Sequence, residues 1–274
     1  LTVLTLHSCT EVIEIELDST YRRLVVYGTV SSDSIRHEVT LATTSDYFSN
    51  QPLPKVPDAT VELEFNGQSI RLEPVDTVPG LYRSPAAFRG KPGITYNLHI
   101  SAVDVDEDGI TGEYSASSTM PEFPMLDSID LAYFNSPFVS GYQVFMYAMD
   151  PPARNYYGFR LIRNDTLLTK RLFDYTVQPD DFFNGTYIYG LPVGFIADDE
   201  PGGPARPGDT VTFELNQIDR AYYDFVIDAQ LEILGNNPLF SGPPANIRTN
   251  IDNGGTGIFA AYAIRRVSSV IPTP

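Results

Sequence analysis

The sequence predicts a mostly β protein made of two β-sandwich domains, the second of which carries one α-helix near its C-terminus. Short segments with alternating apolar and polar residues recur along the chain, and this is the period of strands that bury one face. Turn-forming residues separate these segments, since the chain contains 20 glycines and 22 prolines. Only one stretch has a helical period. The length of 274 residues fits two domains, at about 150 residues per domain.

The first domain is predicted over residues 21–120. Its expected strands are 24–30, 37–43, 59–65, 69–73, 81–82, 95–103 and 113–119. Asn66-Gly67 separates two of them and is typical of a two-residue hairpin turn. Seven short strands at regular spacing favour an immunoglobulin-like sandwich. The segment Pro121-Glu122-Phe123-Pro124 then predicts a linker, because proline cannot donate a ladder hydrogen bond.

Residues 125–274 are predicted to form the second β-rich domain. Its expected strands are 128–134, 141–149, 156–163, 166–177, 185–190 and 210–217, with a closing strand at 258–264. A helix is expected over 219–234, with Asp219 accepting a free backbone N–H as its N-cap. The residues expected on the buried face of this helix are Tyr222, Phe225, Val226, Ala229 and Ile233. A long irregular segment, 238–257, follows.

Residues 1–20 are predicted to hold the end of a bacterial lipoprotein signal peptide and a tether strand. An apolar run ends in Leu6-His7-Ser8-Cys9, and Cys9 is the only cysteine of the chain. Leucine three residues before the cysteine and a small residue directly before it are the pattern of a lipidation site. The sequence is therefore expected to begin inside the apolar region of the signal peptide, and acyl chains on Cys9 would hold the protein on a bilayer. The alternative is an ordinary strand followed by a buried free cysteine.

Residues 11–18 follow this site with alternating acidic and apolar side chains. Ile13, Ile15 and Leu17 would lie on one side of a strand, and the acidic residues on the other. One interpretation is an acidic tag that directs the lipoprotein to the cell surface. The other is an edge strand with a solvated acidic face.

The net charge of −17 argues against binding to nucleic acid or to anionic lipid headgroups through a basic patch. After Cys9 no apolar run approaches the roughly 20 residues of a membrane-spanning helix. The lipid on Cys9 is therefore the membrane anchor that the sequence predicts.

Several short motifs, in a fixed order, carry a resemblance to known families. They are Ser8-Cys9 with Glu11; Asp58-Ala59; Asp150-Pro151 with Asn155-Tyr156-Tyr157; residues 181–185; Gly208-Asp209; Asn237-Pro238-Leu239-Phe240; Pro243-Pro244; Asn250-Ile251; and Gly255 to Phe259. Together they resemble a family of Bacteroidota lipoproteins, a domain of unknown function whose genes often lie beside outer-membrane TonB-dependent transporters. The run from Asp58 to Ile100 also resembles transthyretin-like and carboxypeptidase-regulatory-like sandwich modules. The lipoprotein family supplies no catalytic residues; the resemblance implies a location and a transporter as genetic neighbour.

A candidate calcium loop lies between two expected strands of the first domain. Asp104, Asp106 and Asp108 are followed by Gly109, which matches the first half of a D-x-D-x-D-G loop. The twelfth position is Ser115, where such a loop requires a bidentate glutamate. The alternative is a plain hairpin turn, and calcium is expected not to matter for folding. No other metal and no cofactor is predicted.

The sequence selects no catalytic group, so the protein is expected not to be an enzyme. A Ser-His-Asp triad would need His37 or His99, and neither lies near a nucleophile-elbow sequence. No zinc-ligand spacing is present. The chain has 35 acidic residues, and nothing in the sequence selects a pair of them for glycoside hydrolysis.

Adjacent aromatic pairs are the candidate ligand or partner surface. Tyr156-Tyr157 and Phe182-Phe183 would each place one ring away from the core if they lie in strands. Exposed rings of this kind can anchor a partner. The alternative is that they belong to the core, like most of the 17 tyrosines and 16 phenylalanines.

Two functions are expected from these observations. The first is a non-enzymatic accessory of a TonB-dependent transporter, anchored in the outer membrane and facing the cell surface. The second is an independent surface module that captures a nutrient, a glycan or a host protein. For the accessory role, the helix at 219–234 and the segment 238–257 are the expected contact, because irregular segments on a rigid scaffold often bind. The alternative for 238–257 is that it covers a sheet edge.

Overall fold

The fold is mostly β with one helix near the C-terminus, which confirms the predicted fold class. The structure is a computed structural model that describes residues 22–45, 51–199, 202–235 and 247–273. Cys9, the lipidation motif and the acidic segment 11–18 lie outside these residues, and so does 238–246. The statements below concern the described part of the chain.

The first half of the chain forms nine strands. They are β1 (Leu24–Ser31), β2 (Ser34–Ile35), β3 (Glu38–Thr43), β4 (Thr60–Phe65), β5 (Gln68–Pro74), β6 (Leu81–Arg83), β7 (Phe88–Arg89), β8 (Thr95–Val103) and β9 (Gly112–Thr119). The turn between β4 and β5 has positive φ at both central residues, 50° at Asn66 and 69° at Gly67. Both values are those of the mirror-image hairpin turn that an Asn-Gly pair favours, so this prediction is confirmed.

The second half adds eight strands and one α-helix. The strands are β10 (Met125–Asn135), β11 (Ser140–Met149), β12 (Tyr156–Arg163), β13 (Thr166–Leu167), β14 (Thr176–Pro179), β15 (Tyr187–Ala197), β16 (Thr210–Ile218) and β17 (Thr256–Val270). The helix α1 spans Arg220–Gly235, and a short 3-10 turn spans Leu172–Asp174. None of the helices in the described ranges has the length and apolar composition that crossing a membrane would require.

Three expectations about these strands are wrong in extent. The expected strand 166–177 is interrupted, because Leu172–Asp174 forms a 3-10 turn in which Arg171 and Asp174 bond to each other. The strand expected at 185–190 runs instead over Tyr187–Ala197. The closing strand expected at 258–264 is longer, Thr256–Val270. Its second half remains paired in the sheet, and there Arg266 forms an ion pair with Glu214 of β16.

One large sheet runs through both halves of the chain. Its order is β13-β12-β16-β17-β1-β3-β6-β5-β4-β8-β9, and β14 also pairs with β12. Among the described strands, β1 and β17 form the one parallel pair, with Val26 opposite Gly257 and Val30 opposite Ala261. The strand β17 therefore lies between β1 from the first half and β16 from the second. The division into units 21–120 and 125–274 stays a prediction, with β17 hydrogen-bonded to strands of both.

The first core lies between the strands of this sheet that run from β17 through β1 to β9. It contains Leu24, Leu41, Leu98 and Tyr96, together with Phe259 from β17. The free edge of β9 is covered by residues 250–253. The Asn250 amide group donates to Phe259 O at 2.7 Å and Ser117 O at 3.2 Å, and Asp252 N–H donates to Ser115 O at 3.0 Å. The described part of the segment 238–257 thus covers a sheet edge.

The second core lies between two layers. One layer consists of β12, β16 and the second half of β17, and the other is a separate three-stranded sheet with the order β10-β11-β15. Phe159, Phe213 and Leu215 from the first layer meet Val144 and Ile188 from the second.

The helix packs on the opposite face of the large sheet. Tyr222 and Val226 of α1 contact Ile258, Ala260 and Tyr262 of β17 in a third apolar cluster. Tyr222, Val226 and Ala229 are buried and Phe225 is half-buried, as expected. Ile233 is 52 % exposed, so its expected place on the buried face is wrong. The architecture is therefore three layers deep in the second half, with the three-stranded sheet on the outside.

Candidate functional site

The outer side of the three-stranded sheet is built mainly from aromatic and sulfur-containing side chains. Tyr147 of β11 lies opposite Tyr189 of β15, and Met149 lies opposite Tyr187. Residues directly opposite in an antiparallel pair share one face of the sheet. Their neighbours in the chain, including Ile188, are buried in the second core. Because side chains alternate along a strand, these four point away from the core.

Phe145 belongs to the same side, because it lies opposite Asp130 of β10 and Pro192 of β15. We call the set Phe145, Tyr147, Met149, Tyr187 and Tyr189 the aromatic face. Tyr189 is 82 % exposed, and the other members are half-buried or exposed. The centroids of the Tyr187 and Tyr189 rings lie 4.5 Å apart. These two rings therefore pack against one another.

A glycine next to Tyr189 shapes this surface. Gly190 has φ of +69° and lies at a register shift between β11 and β15. An added Cβ would lie 3.3 Å from Tyr147 Oη. Glycine adopts this left-handed backbone without strain and leaves room for the Tyr147 ring. The bulge thus brings Tyr147 close to the backbone of β15.

The aromatic face has no cationic group in its own sheet. The strands β10, β11 and β15 contain no lysine and no arginine, and their acidic residues are Asp127 and Asp130. A hydrogen bond from the Tyr187 hydroxyl to Asp127 raises the pKa of that tyrosine. The surface is therefore apolar with a slight acidic character.

This composition resembles that found in the cores of protein interfaces. An antiparallel sheet with one solvated side normally carries polar residues there. Aromatic residues and methionine are enriched in the cores of protein–protein interfaces, and lysine and glutamate are depleted. Contiguous exposed apolar surface on a folded protein marks an interaction site. The arrangement can therefore bind a partner surface.

The four aromatic residues singled out in the sequence do not form one exposed surface. Tyr157 is buried and its hydroxyl donates to Asp150 at 2.8 Å. Phe183 packs against the second core. Tyr156 lies against Tyr223 of the helix, with ring centroids 4.9 Å apart.

Phe182 is the exposed member of the set, at 90 %, and it lies in a turn between β14 and β15. Asp150 fixes the end of this turn, because it accepts the Gly185 N–H at 3.2 Å. Burial raises the pKa of the Asp150 carboxyl. The sequence predicted one outward ring in each pair, and Phe182 is such a ring. Its exposure results from its place in a turn and not from alternation along a strand.

The aromatic face was missed in the sequence for an identifiable reason. Residues 141–149 are apolar at almost every position, including both Val144 and Phe145. Such a strand usually has both faces buried, so its pattern does not reveal an exposed aromatic side. The available signal was the absence of lysine and arginine from three long strands of the second half, β10, β11 and β15.

The candidate calcium residues are brought together. Carboxylate oxygens of Asp104, Asp106 and Asp108 lie within 4.8 Å of one another, and all three residues are exposed. Asp104 accepts the backbone N–H groups of Asp108 and Gly109, at 3.2 and 2.9 Å. These bonds are those of a self-contained turn. The twelfth position, Ser115, donates its hydroxyl and its backbone N–H to the Asp252 carboxylate, each at 2.5 Å.

The two described histidines have different surroundings, since His37 is buried and His99 is exposed. His37 is buried, and its ring nitrogens face two backbone groups, the Phe88 carbonyl at 3.0 Å and the Ser31 N–H at 3.5 Å. His99 points outward from β8, as expected, and lies 3.6 Å from the Glu64 carboxylate. Among the described residues, no hydrogen bond joins either ring to a serine hydroxyl, although His99 lies opposite Ser115 of β9.

Comparison with protein families gives a match over residues 10–268 to the family described as Domain of unknown function (DUF4249). A search of curated proteins found no match. The match extends over nearly all of the sequence and includes both cores and the aromatic face.

Proposed function

The chain belongs to the DUF4249 family, and from that premise we propose that it is a non-enzymatic, lipid-anchored accessory of an outer-membrane TonB-dependent transporter. In this proposal Cys9 carries the lipid, the protein faces the cell surface, and the aromatic face docks on the transporter. The resemblance of the sequence to Bacteroidota lipoproteins encoded beside such transporters supports the choice of partner.

The aromatic face is the observation that carries the proposal. It combines exposed tyrosines with a methionine on a rigid sheet, and tyrosine is enriched among the residues that dominate binding energy at interfaces. The three-stranded sheet holds Tyr147 and Tyr189 in place, with hydrogen-bonded partners on both sides of β11. Few conformations are then lost on binding, which favours affinity.

The lipid anchor makes a modest interface sufficient. A protein tethered to the same membrane as its partner has a high effective concentration near it. An interface at the low end, about 1,000 Å² in total, can then give a stable complex.

The aromatic face replaces the segment 238–257 as the proposed contact. The described residues of that segment cover the edge of β9 through Asn250 and Asp252, which favours the structural alternative for them. The apolar face of the helix α1 is already covered by its contacts with β17. In contrast, the Tyr189 ring of β15 is exposed to solvent and the Tyr147 ring of β11 is half-buried.

A pulldown from native membranes tests the docking surface. The full chain carries a C-terminal tag, mild detergent extracts the membranes, and Tyr189→Asp is compared with the natural chain. We expect the transporter to copurify with the natural chain. The yield of copurified transporter should fall about tenfold for Tyr189→Asp, which corresponds to a loss of roughly 1.4 kcal/mol of binding free energy. Ile110→Asp is the matched control, because Ile110 is 74 % exposed on the first half of the chain.

Two outcomes count against the proposal. Recovery of the natural chain alone, with and without crosslinker, contradicts the accessory role and favours independent capture of a ligand. An equal loss of copurified transporter in Tyr189→Asp and Ile110→Asp contradicts docking through the aromatic face. The anchor is tested separately with a labelled fatty acid, where Cys9→Ser is expected to lose the label and equal labelling contradicts lipidation.

A further inference from the structure

A cleft opens at the side of the second sandwich, away from the aromatic face. It lies between β15 and the segment that leads from β13 to β14, and its volume is ≈ 530 Å³. Small-molecule sites typically occupy about 300–1,000 Å³. The cleft is therefore large enough for a small organic ligand.

The inner wall of this cleft is apolar. Phe159 and Leu161 of β12 line it from one layer, and Val193 of β15 lines it from the other. All three are buried residues of the second core. Leu168 and Phe195 extend the wall toward the opening. A hydrocarbon portion of a ligand would be removed from water on this wall, which is favourable in proportion to its area.

The rim of the cleft is polar and carries one uncompensated cation. Arg171 bonds to Asp174 twice, Nη2 to Oδ1 at 2.7 Å and Nε to Oδ2 at 3.0 Å, so these two charges cancel. Lys170 lines the same cleft and is exposed, and no described carboxylate forms an ion pair with it. The rim therefore carries a local excess of one positive charge, in a chain whose net charge is −17.

Thr169 adds a polar atom without a partner. Its Oγ1 is buried and makes no hydrogen bond within the described structure. A buried hydroxyl is normally paired with protein, water or ligand. Because this oxygen has almost no accessible surface, it lies beneath the wall of the cleft, and Lys170 is the polar rim group that a ligand can reach.

We infer that the cleft between β15 and the β13–β14 segment binds an amphipathic organic carboxylate, with its hydrocarbon chain on Phe159, Leu161 and Val193. The carboxylate pairs with the Lys170 ammonium. The apolar wall selects a hydrocarbon body, and the single net positive charge at the rim selects an anionic head group. The site is independent of the aromatic face, which lies on the outer side of the three-stranded sheet.

Titration calorimetry with octanoate, octylammonium and 1-octanol tests the inference. The full chain carries Cys9→Ser, so that no acyl chain of its own competes for the cleft. We expect octanoate to bind at least tenfold more tightly than octylammonium. Lys170→Met should weaken octanoate at least tenfold and leave 1-octanol unchanged. Lys91→Met, an exposed lysine of the first half, should bind octanoate like the parent chain.

A second variant fills the space and removes no charge. Thr176 of β14 lines the cleft and is exposed, so Thr176→Trp should place a ring in the opening and weaken octanoate and 1-octanol together. Melting temperatures of all variants establish that they are folded. No measurable octanoate binding to the parent chain at millimolar concentration, equal affinity for octanoate and octylammonium, or unchanged binding in Lys170→Met each overturns the inference.

Discussion

At the scale of single residues, His37 shows how burial assigns a structural role to a titratable group. Its backbone N–H donates to Ser84 Oγ at 3.0 Å, and its ring lies 4.3 Å from the Phe88 ring in an edge contact. Burial lowers the pKa of the imidazole, and the Phe88 carbonyl and the charge of Asp33 oppose this shift. The ring therefore stays neutral in the folded protein and holds the segment around β7 against β1.

This arrangement predicts a pH-dependent contribution to stability. The unfolded chain takes up a proton at His37 below about pH 6.5, and the folded chain resists this until a lower pH. Stability from this group is therefore complete above that pH and is lost as the pH falls toward the folded pKa. We expect the melting temperature of the natural chain to fall more between pH 8 and pH 5.5 than that of His37→Gln. Equal pH slopes for the two proteins would contradict the assignment.

At the scale of elements, Asp219 joins three of them. Its carboxylate accepts the Tyr222 N–H at 2.8 Å and so caps the helix α1, as the sequence predicted. The same carboxylate accepts the Ser118 hydroxyl of β9 at 2.6 Å, and Ser118 Oγ accepts the Ala261 N–H of β17 at 2.8 Å. One short chain of hydrogen bonds thus connects the helix, the last strand of the first half and the strand shared by both halves.

Substitutions along this chain are expected to be costly and coupled. Asp219→Ala should lower the free energy of unfolding by about 1–2 kcal/mol, because the cap is lost, with a further loss because Ser118 is left without its acceptor. The double substitution with Ser118→Ala should cost less than the sum of the two single ones, by about 0.5 kcal/mol or more. The free energies of unfolding of the natural chain, the two single variants and the double variant are measured in urea. The control is Asp76→Ala in an exposed turn, which should change the free energy of unfolding by no more than about 0.5 kcal/mol. Strict additivity would mean that the hydrogen bond between the two side chains contributes nothing.

At the scale of the whole molecule, β17 makes the two halves depend on each other. Its first part contributes Phe259, Ala261 and Ala263 to the first core, and its second part packs Val267 against the second core. Arg266 of the same strand bonds to Glu214 of β16 at 2.8 Å and also pairs with Asp33, which follows β1. Removal of this strand would expose both cores.

A fragment of residues 22–120 is therefore expected not to fold on its own. It lacks the parallel partner of β1 and the cover over the edge of β9. A second fragment, in which a flexible linker joins residues 247–273 to 22–120, restores both and is expected to unfold cooperatively in urea. The measurement is circular dichroism of the two fragments beside the full chain. A cooperative transition for 22–120 alone would show that β17 is dispensable for the first sandwich.

The sequence by itself determined the elements that depend on local chemistry. The local sequence pattern predicted most of the long strands, including Thr95–Val103 and Tyr156–Arg163, whose predicted bounds are those observed. Asn66-Gly67 determined its hairpin turn, and Asp219 determined the start of the helix. In each case the physical cause lies within a few residues of the feature, in side-chain period, backbone sterics or a single cap.

Tertiary structure alone decided how these elements combine. The parallel pairing of Val26 with Gly257 joins residues far apart in the chain, and no local pattern marks such a partner. The aromatic face was likewise undetermined, because apolar residues on both sides of β11 are equally compatible with two buried faces. One side is covered by β12 and β16, and the other is left open to solvent. Which side of an apolar strand remains exposed depends on what packs against it, and that is a property of the assembled layers.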